Sequence, residues 1–349
     1  ELRLGEPIDA VLVKPRMAEA VPVGRPGRGM IAQNYERMGV DPVGLHTLMA
    51  RPATEAAPDA FDSRSVVQAV RSLAAGYTPA RKVRRLPKQV SAAQLAALVA
   101  ADGSTGDASM VWAMSETEHP VYFDGQHLVI TGQSRCGRTT ACATVMAEIA
   151  RVYAPATDPA PADQKRPHAQ VWLIDPRRQL PNVLERSYVH RFAYTATTIK
   201  QRMVELAGVL TARLPEDDLA VDQAVTRRWT GPEIFLVIDD AQRLPAGFDS
   251  PLEPIAQFVE AGADVGLRII YTRLFGGFGT GVGTDPVLRM LRQANAPLLV
   301  MDSDPDEGFV RGKWKGHTMP PGRGFLMNTT ESGIYVQVGD AQLAEADPR

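Results

Sequence analysis

Only two cysteines occur in the 349 residues, Cys136 and Cys142. That is too few for a disulfide framework and fits a reducing compartment. Charge of one sign is also missing. Lys+Arg 38 against Asp+Glu 40 leaves a net charge of -2, which argues against a chain built chiefly to neutralise nucleic-acid phosphates, although it leaves room for a local basic patch. No apolar run approaches the ~18 residues a membrane-spanning helix needs. His46, His119, His127, His168, His190 and His317 are scattered, with no cysteine or paired carboxylate at ligand spacing, so a structural metal site is not expected. The chain opens at Glu1 without a basic-then-apolar leader and reads as a piece of something longer. The remainder is ordinary: 44% hydrophobic and 22% charged residues in 37.8 kDa make a globular chain of about two domains.

One pattern occurs twice. Val23-Gly24-Arg25-Pro26-Gly27-Arg28-Gly29-Met30-Ile31 near the start echoes Met319-Pro320-Pro321-Gly322-Arg323-Gly324-Phe325-Leu326 near the end. Each is a Pro/Gly turn around Gly-Arg-Gly that runs into an apolar strand start. The short segments Leu2–Pro7 and Leu298–Asp302 lie upstream of the two copies. A tandem array explains this, with residues 1–55 the last strands of a preceding unit, 56–90 a linker and helix, and 91–349 a further domain. Two unrelated turns are the alternative.

Within 56–90, Val66, Val67, Val70 and Leu73 have helical spacing. The basic stretch Ala80–Pro87 is either a nucleic-acid patch or a solvated edge strand leading into a helix over Ala92–Ala101. Ser91 and Gln94 have the form of a capping box for that helix. Beyond it, apolar runs alternate with helical patterns. Strands are expected at His127–Thr131, Val171–Asp175, Glu233–Asp239, Leu267–Thr272 and Pro297–Met301. Helices are expected at Thr139–Val152, Thr197–Leu214 and Pro251–Ala263, and surface loops at Ala154–Pro167 and over the glycines 276–283. Strands separated by helices imply βαβ units: an α/β fold whose mainly parallel sheet is flanked by helices.

The strand His127–Thr131 runs into Gly132-Gln133-Ser134-Arg135-Cys136-Gly137-Arg138-Thr139-Thr140 and then a helix. This is the phosphate-loop pattern G-x-x-x-x-G-K-[ST], with Arg138 where Lys is expected. Glycines let backbone N–H groups close around phosphate oxygens, and the helix aims its N-terminal donors at the same anion. Gly132 to Thr140 are therefore candidate nucleotide-binding residues, with the Thr139 hydroxyl a candidate Mg²⁺ ligand. Cys136, inside the loop, is either a reactive thiol or a tolerated small residue. About one hundred residues on, the apolar strand Ile234–Ile238 ends in Asp239-Asp240. Asp239 is a candidate for the magnesium shell and Asp240 a candidate catalytic residue orienting the attacking water. Thr272, at the tip of Leu267–Tyr271, is a candidate γ-phosphate sensor, with a plain strand cap as the alternative.

Together these residues resemble the FtsK/SpoIIIE branch of RecA-like P-loop NTPases, and within it the EccC-type ATPases of type VII (ESX) secretion systems. The resemblance rests on the Val121–Thr140 strands and loop, Trp172–Arg178 (WLIDPRR), Phe235–Gln242 (FLVIDDAQ), the His119–Asp124 segment before the loop, and the closing Gly-Arg-Gly. It implies the C-terminal, third ATPase domain of such a protein, binding ATP and Mg²⁺. The implied partners are neighbouring ATPase domains of the same chain, secreted WXG100-type (EsxB-like) proteins and other secretion-complex subunits. The implied location is the cytoplasmic side of the inner (plasma) membrane, with the membrane reached only through an N-terminal part lying outside this sequence. Arg138 and the shorter acid Asp240 depart from the pattern and imply weak turnover. A fully active motor ATPase is the alternative, and an FtsK-like DNA translocase a more distant one.

Overall fold

The computed structural model describes residues 86–103, 109–123, 125–156, 166–215, 229–307, 309–311, 314–328 and 333–341, with the short stretches 2–3, 28–31, 45–48 and 71–72. The chain divides into two compact units, Glu1–Val83 and Arg84–Arg349. In the first, Arg28–Ile31 lies between Leu2–Arg3 and Leu45–Leu48, antiparallel to both. The helix expected from Val66 to Leu73 falls mainly outside the described residues.

In the second unit the chain order is β1 (Val90–Ser91), α1 (Ala92–Asp102), β2 (Val111–Ser115), β3 (Pro120–Tyr122), β4 (His127–Gly132), α2 (Arg138–Val152), β5 (His168–Ile174), β6 (Val189–Ala193) and α3 (Ala196–Thr211). There follow β7 (Glu233–Ile238), β8 (Leu267–Leu274), α4 (Phe278–Thr284), α5 (Pro286–Gln293), β9 (Leu298–Val300), β10 (Arg323–Met327) and β11 (Gly333–Asp340). Ten of them follow the path β6-β5-β7-β8-β4-β9-β10-β11-β2-β3, and β1 beside β11 and Ala154–Pro155 beside β5 complete a 12-stranded sheet. From β6 to β9 the neighbours are parallel, and from β10 onward each new strand is antiparallel to the last.

The parallel block is buried on both faces, and the sequence alternates accordingly. Along β7, Phe235 and Val237 join one core with Ala141, Val145, Met146 and Ile149 of α2. Ile234, Leu236 and Ile238 join the other, with Ile199, Met203, Leu206 and Leu210 of α3. Helices on both faces are what continuous apolar strands require. The α1 capping box is present: the Ser91 hydroxyl accepts from the Gln94 N–H at 3.2 Å, and the Gln94 side chain accepts from the Ser91 N–H at 2.8 Å.

Several expectations change. The helix expected over Pro251–Ala263 is two short turns, Glu253–Ala256 and Gly262–Val265. The chain bends between them so that the Val259 carbonyl meets His127 Nε2 at 2.8 Å. Gly262 lies flush against the same ring, where a Cβ would stand 2.9 Å from Cε1. The glycine-rich stretch expected as a loop contains helix α4, seeded by Gly277 at φ 72° and anchored by buried Phe278. Ala154–Pro155, expected in a loop, adds a short strand beside β5. No strand forms over residues 86–87, and 80–85 of the expected edge strand lie outside the described residues.

Candidate nucleotide site

The phosphate loop hangs from the C-terminal end of β4, and α2 begins at Arg138 immediately after Gly137. Gly137 has φ 106°, and a Cβ there would lie 3.2 Å from the Gly322 nitrogen. Only glycine satisfies both conditions. On one side of β4 lies β8, with Thr272 opposite Ile130; beyond β8 lies β7, ending at Asp239 and Asp240. The sheet order thus sets Gly132–Thr140, Thr272 and the two aspartates at one edge.

Asp239 is fully buried. It accepts from Thr139 Oγ1 at 3.1 Å and from Thr272 Oγ1 at 2.5 Å. Burial pushes its pKa up to about 6, against the hydrogen bond from Thr272 and with the neighbouring charges of Asp240 and Asp175. A hydroxyl and a carboxylate meeting at 3.1 Å beside the loop fit the hard oxygen-donor set that Mg²⁺ prefers. Thr272 also accepts the Asp240 N–H at 2.9 Å, so its hydroxyl joins both aspartates.

Arg138 does not stand free in the loop. Its side chain is buried, and Nη1 donates to the carbonyl of Gly132 and, at 2.9 Å, to that of Gln133. Nη2 donates to Asp240 Oδ1 at 2.8 Å. Asp240, 1% exposed, also accepts from Gln242 Nε2 at 3.0 Å and Arg177 Nη1 at 3.2 Å, with Arg243 at 3.9 Å. Burial alone would raise its pKa, but the hydrogen bonds from Gln242, Arg138 and Arg177 and the Arg138 charge outweigh it and hold the carboxylate below its ordinary range. Its backbone sits at φ 49°, ψ 48°, a left-handed conformation that aspartate tolerates better than most residues.

Arg177 and Gln242 were not singled out by the sequence. Arg177 is delivered by the Asp175 carboxylate, which accepts from the backbone N–H groups of Arg177, Arg178 and Leu180 and so folds the turn after β5. Gln242 also accepts the Leu274 N–H at 2.9 Å, tying Asp240 to the tip of β8. The closing Gly-Arg-Gly has a role that its repetition did not reveal. Gly322 donates to the Cys136 carbonyl at 2.8 Å, and Arg323 Nη2 donates to the carbonyls of Leu86 and Pro87 at 2.7 and 2.8 Å. That turn and residues 86–90 wall a cavity of about 1170 Å³ that opens onto Arg135, Gly137 and Thr140. The volume suits a nucleotide-sized ligand, since small-molecule sites run to about 1,000 Å³. Cys136 is buried, 3.8 Å from the Met301 sulfur, and burial pushes its thiol pKa up, which describes a packed thiol rather than a reactive one.

A parallel block of strands with a phosphate loop, an acid pair on the next strand but one, and a threonine strand tip between them define a P-loop ATPase fold of the FtsK/SpoIIIE-like class, a class built around nucleotide binding. No family model matches the chain. It is 50% identical over 353 residues to ESX-5 secretion system protein EccC5 of Mycobacterium tuberculosis, covering 98% of this chain and 25% of that protein. It is 31% identical over 341 residues to ESX secretion system protein EccC of Thermomonospora curvata, covering 97% and 24%. A solved ATPase matches with TM-score 0.69 and 48% identity over 75% of this chain and 99% of that one. ATPases 2 and 3 of T. curvata EccC, solved in complex with a signal sequence peptide, match with TM-score 0.69 and 28% identity over 94% and 56%. The chain belongs to the EccC-type ATPases of ESX secretion systems, and it spans about a quarter of the length of the curated relatives it matches. Among the described residues no helix is long and apolar enough to cross a membrane.

Proposed function

We propose that this chain is the C-terminal ATPase module of an EccC-type secretion motor, a nucleotide-binding module of low turnover. ATP would sit with its phosphates on Gly132–Thr140 and its base and ribose in the cavity walled by Met319–Gly322. Thr139 and Asp239 would hold Mg²⁺, which supplies charge neutralisation on the phosphates. The observation that carries the reading is Arg138, whose guanidinium is committed to Gly132, Gln133 and Asp240. The residue at the lysine position and the acid expected to orient water neutralise each other. Phosphoryl transfer depends on positioning and charge, so an acid held by Arg138, Arg177 and Gln242 is a poor activator of water.

The structural repeat supports the assignment of residues 1–55 to a preceding ATPase unit. Arg28–Ile31 and Arg323–Met327 both begin at the arginine of Gly-Arg-Gly, and each is the middle strand of an antiparallel trio. Working beside neighbouring ATPase domains on the cytoplasmic side of the membrane, the module would help recognise and export WXG100-type proteins. The T. curvata complex with a signal sequence peptide motivates that part of the reading. The intact Thr139–Asp239 pair favours the competing reading, a fully active motor.

ATP affinity and steady-state hydrolysis, measured on one preparation, separate the two. Binding with negligible turnover is expected. Substantial turnover that Asp240→Asn abolishes would refute the low-turnover reading.

A further inference from the structure

The phosphate loop carries two arginines, and the structure treats them oppositely. Arg138, at the motif's basic position, is buried; Nη1 is on the loop's own carbonyls and Nη2 is on Asp240. The remaining Nε is buried without a partner among the described residues, out of reach of a ligand in the cavity. A guanidinium so engaged has little left for an incoming anion, and withdrawing it would leave Asp240 and two carbonyls short of a donor. Arg135 is exposed and lines the cavity beside Gly137 and Thr140. Among the described residues it meets no acceptor. It also holds φ 65°, a left-handed conformation normally left to glycine. The chain therefore keeps a long cation at a loop position where its own backbone would be more comfortable without a side chain, and such strain gathers where function needs it.

We propose that Arg135, rather than Arg138, is the cation that meets the nucleotide's phosphates. This rests on the nucleotide-binding reading above. Arg138 is then a positioning residue that fixes the loop's shape from beneath, while Arg135 supplies the charge from the cavity side. Its planar fork pairs readily with phosphate oxygens, and its exposure leaves it free to do so.

The test is titration of the full chain with ATP and Mg²⁺ at two ionic strengths, with nucleotide-free thermal unfolding alongside. Arg135→Gln should weaken ATP about 10-fold or more and flatten the salt dependence, and Arg135→Lys, which keeps the charge, should return most of the loss. Arg135→Gly should also weaken ATP while raising the nucleotide-free Tm, because glycine relieves the left-handed backbone. Affinity and stability moving in opposite directions is a signature no merely structural role produces. Wild-type affinity in both Arg135→Gln and Arg135→Gly would overturn the proposal and leave the nucleotide-binding reading standing. A wild-type chain that binds no ATP would overturn both.

Discussion

Truncating Arg138 should reveal how tightly the loop and Asp240 depend on each other. Breaking a buried ion pair by removing one partner costs about 3–5 kcal/mol, because a charge is left uncompensated. Here Asp240 retains Gln242 and Arg177, but the Arg177 side chain is 45% exposed and replaces only part of the lost charge. Arg138→Ala should therefore cost about 2–3 kcal/mol in the absence of nucleotide. At about 2–4 °C per kcal/mol for a domain of this size, Tm should fall by roughly 4–12 °C. Asp240→Ala should cost a similar amount by stranding a buried guanidinium. In the double variant neither group is stranded, so its cost should fall short of the sum by about 1.5–3 kcal/mol. Denaturant unfolding followed through Trp112 and Trp172, both buried in the unit that carries the site, reads the cycle. Costs that add to within ~0.5 kcal/mol would refute the pairing.

His127 gives a pH prediction. Its Nδ1 accepts from the Ile269 N–H and its Nε2 donates to Val259, and burial, assisted by the Arg268 charge, lowers its pKa from 6.5 to about 4. Between those values the unfolded histidine binds more protons, so the His127 contribution to stability falls by about 2 kcal/mol from pH 7 to 5. Asp239, whose raised pKa of about 6 acts in the opposite sense, partly offsets it, and the difference between wild type and variant isolates the histidine. His127→Gln should remove that slope from urea midpoints measured across the range. Thr272→Val takes the donor from Asp239 and the acceptor from the Asp240 N–H, costing about 2–3 kcal/mol. Thr272→Ser, which keeps the hydroxyl, should unfold near wild type, and a Ser variant as weak as Val would reject the hydroxyl bridge. Gly137→Ala cannot hold φ 106° beside Gly322. It should lose measurable ATP affinity by calorimetry and about 1 kcal/mol or more of stability.

What could be read in advance followed locality. The strand Ile234–Ile238 buries both faces, so its apolar run needs no partner to be recognised, and the loop Gly132–Thr140 is a single contiguous pattern. Thr272 is also legible as a polar strand tip, and the pairing of β8 with β4 brings it beside the phosphate loop. Contacts between distant segments were hidden. Nothing in WLIDPRR announces that Asp175 folds the turn and Arg177 reaches Asp240, and nothing in the repeated Gly-Arg-Gly announces a hydrogen bond from Gly322 to Cys136. Helix α4 was hidden for another reason. Its glycines disfavour a helix on propensity, yet Gly281 leaves room for the Arg273 guanidinium, which a Cβ 2.7 Å away would push aside. Tertiary packing overrode the local preference.

The two departures from the motif act as one. A lysine ammonium is a compact point charge, whereas the guanidinium is a flat fork that binds acceptors lying in different directions. Arg138 uses that geometry, with Nη1 on the Gly132 and Gln133 carbonyls and Nη2 on Asp240. Asp240 in turn needs its short side chain and left-handed backbone to keep its carboxylate at the strand tip, within reach of that fork. A lysine opposite Asp240 would have to gather all three acceptors around a single nitrogen, and a longer acid opposite Arg138 would crowd the space that Gln242 and Arg177 share around the carboxylate. A buried neutral pair is therefore the physical form that low turnover would take here, and that is why reverting one residue alone is a weaker route to hydrolysis than reverting both.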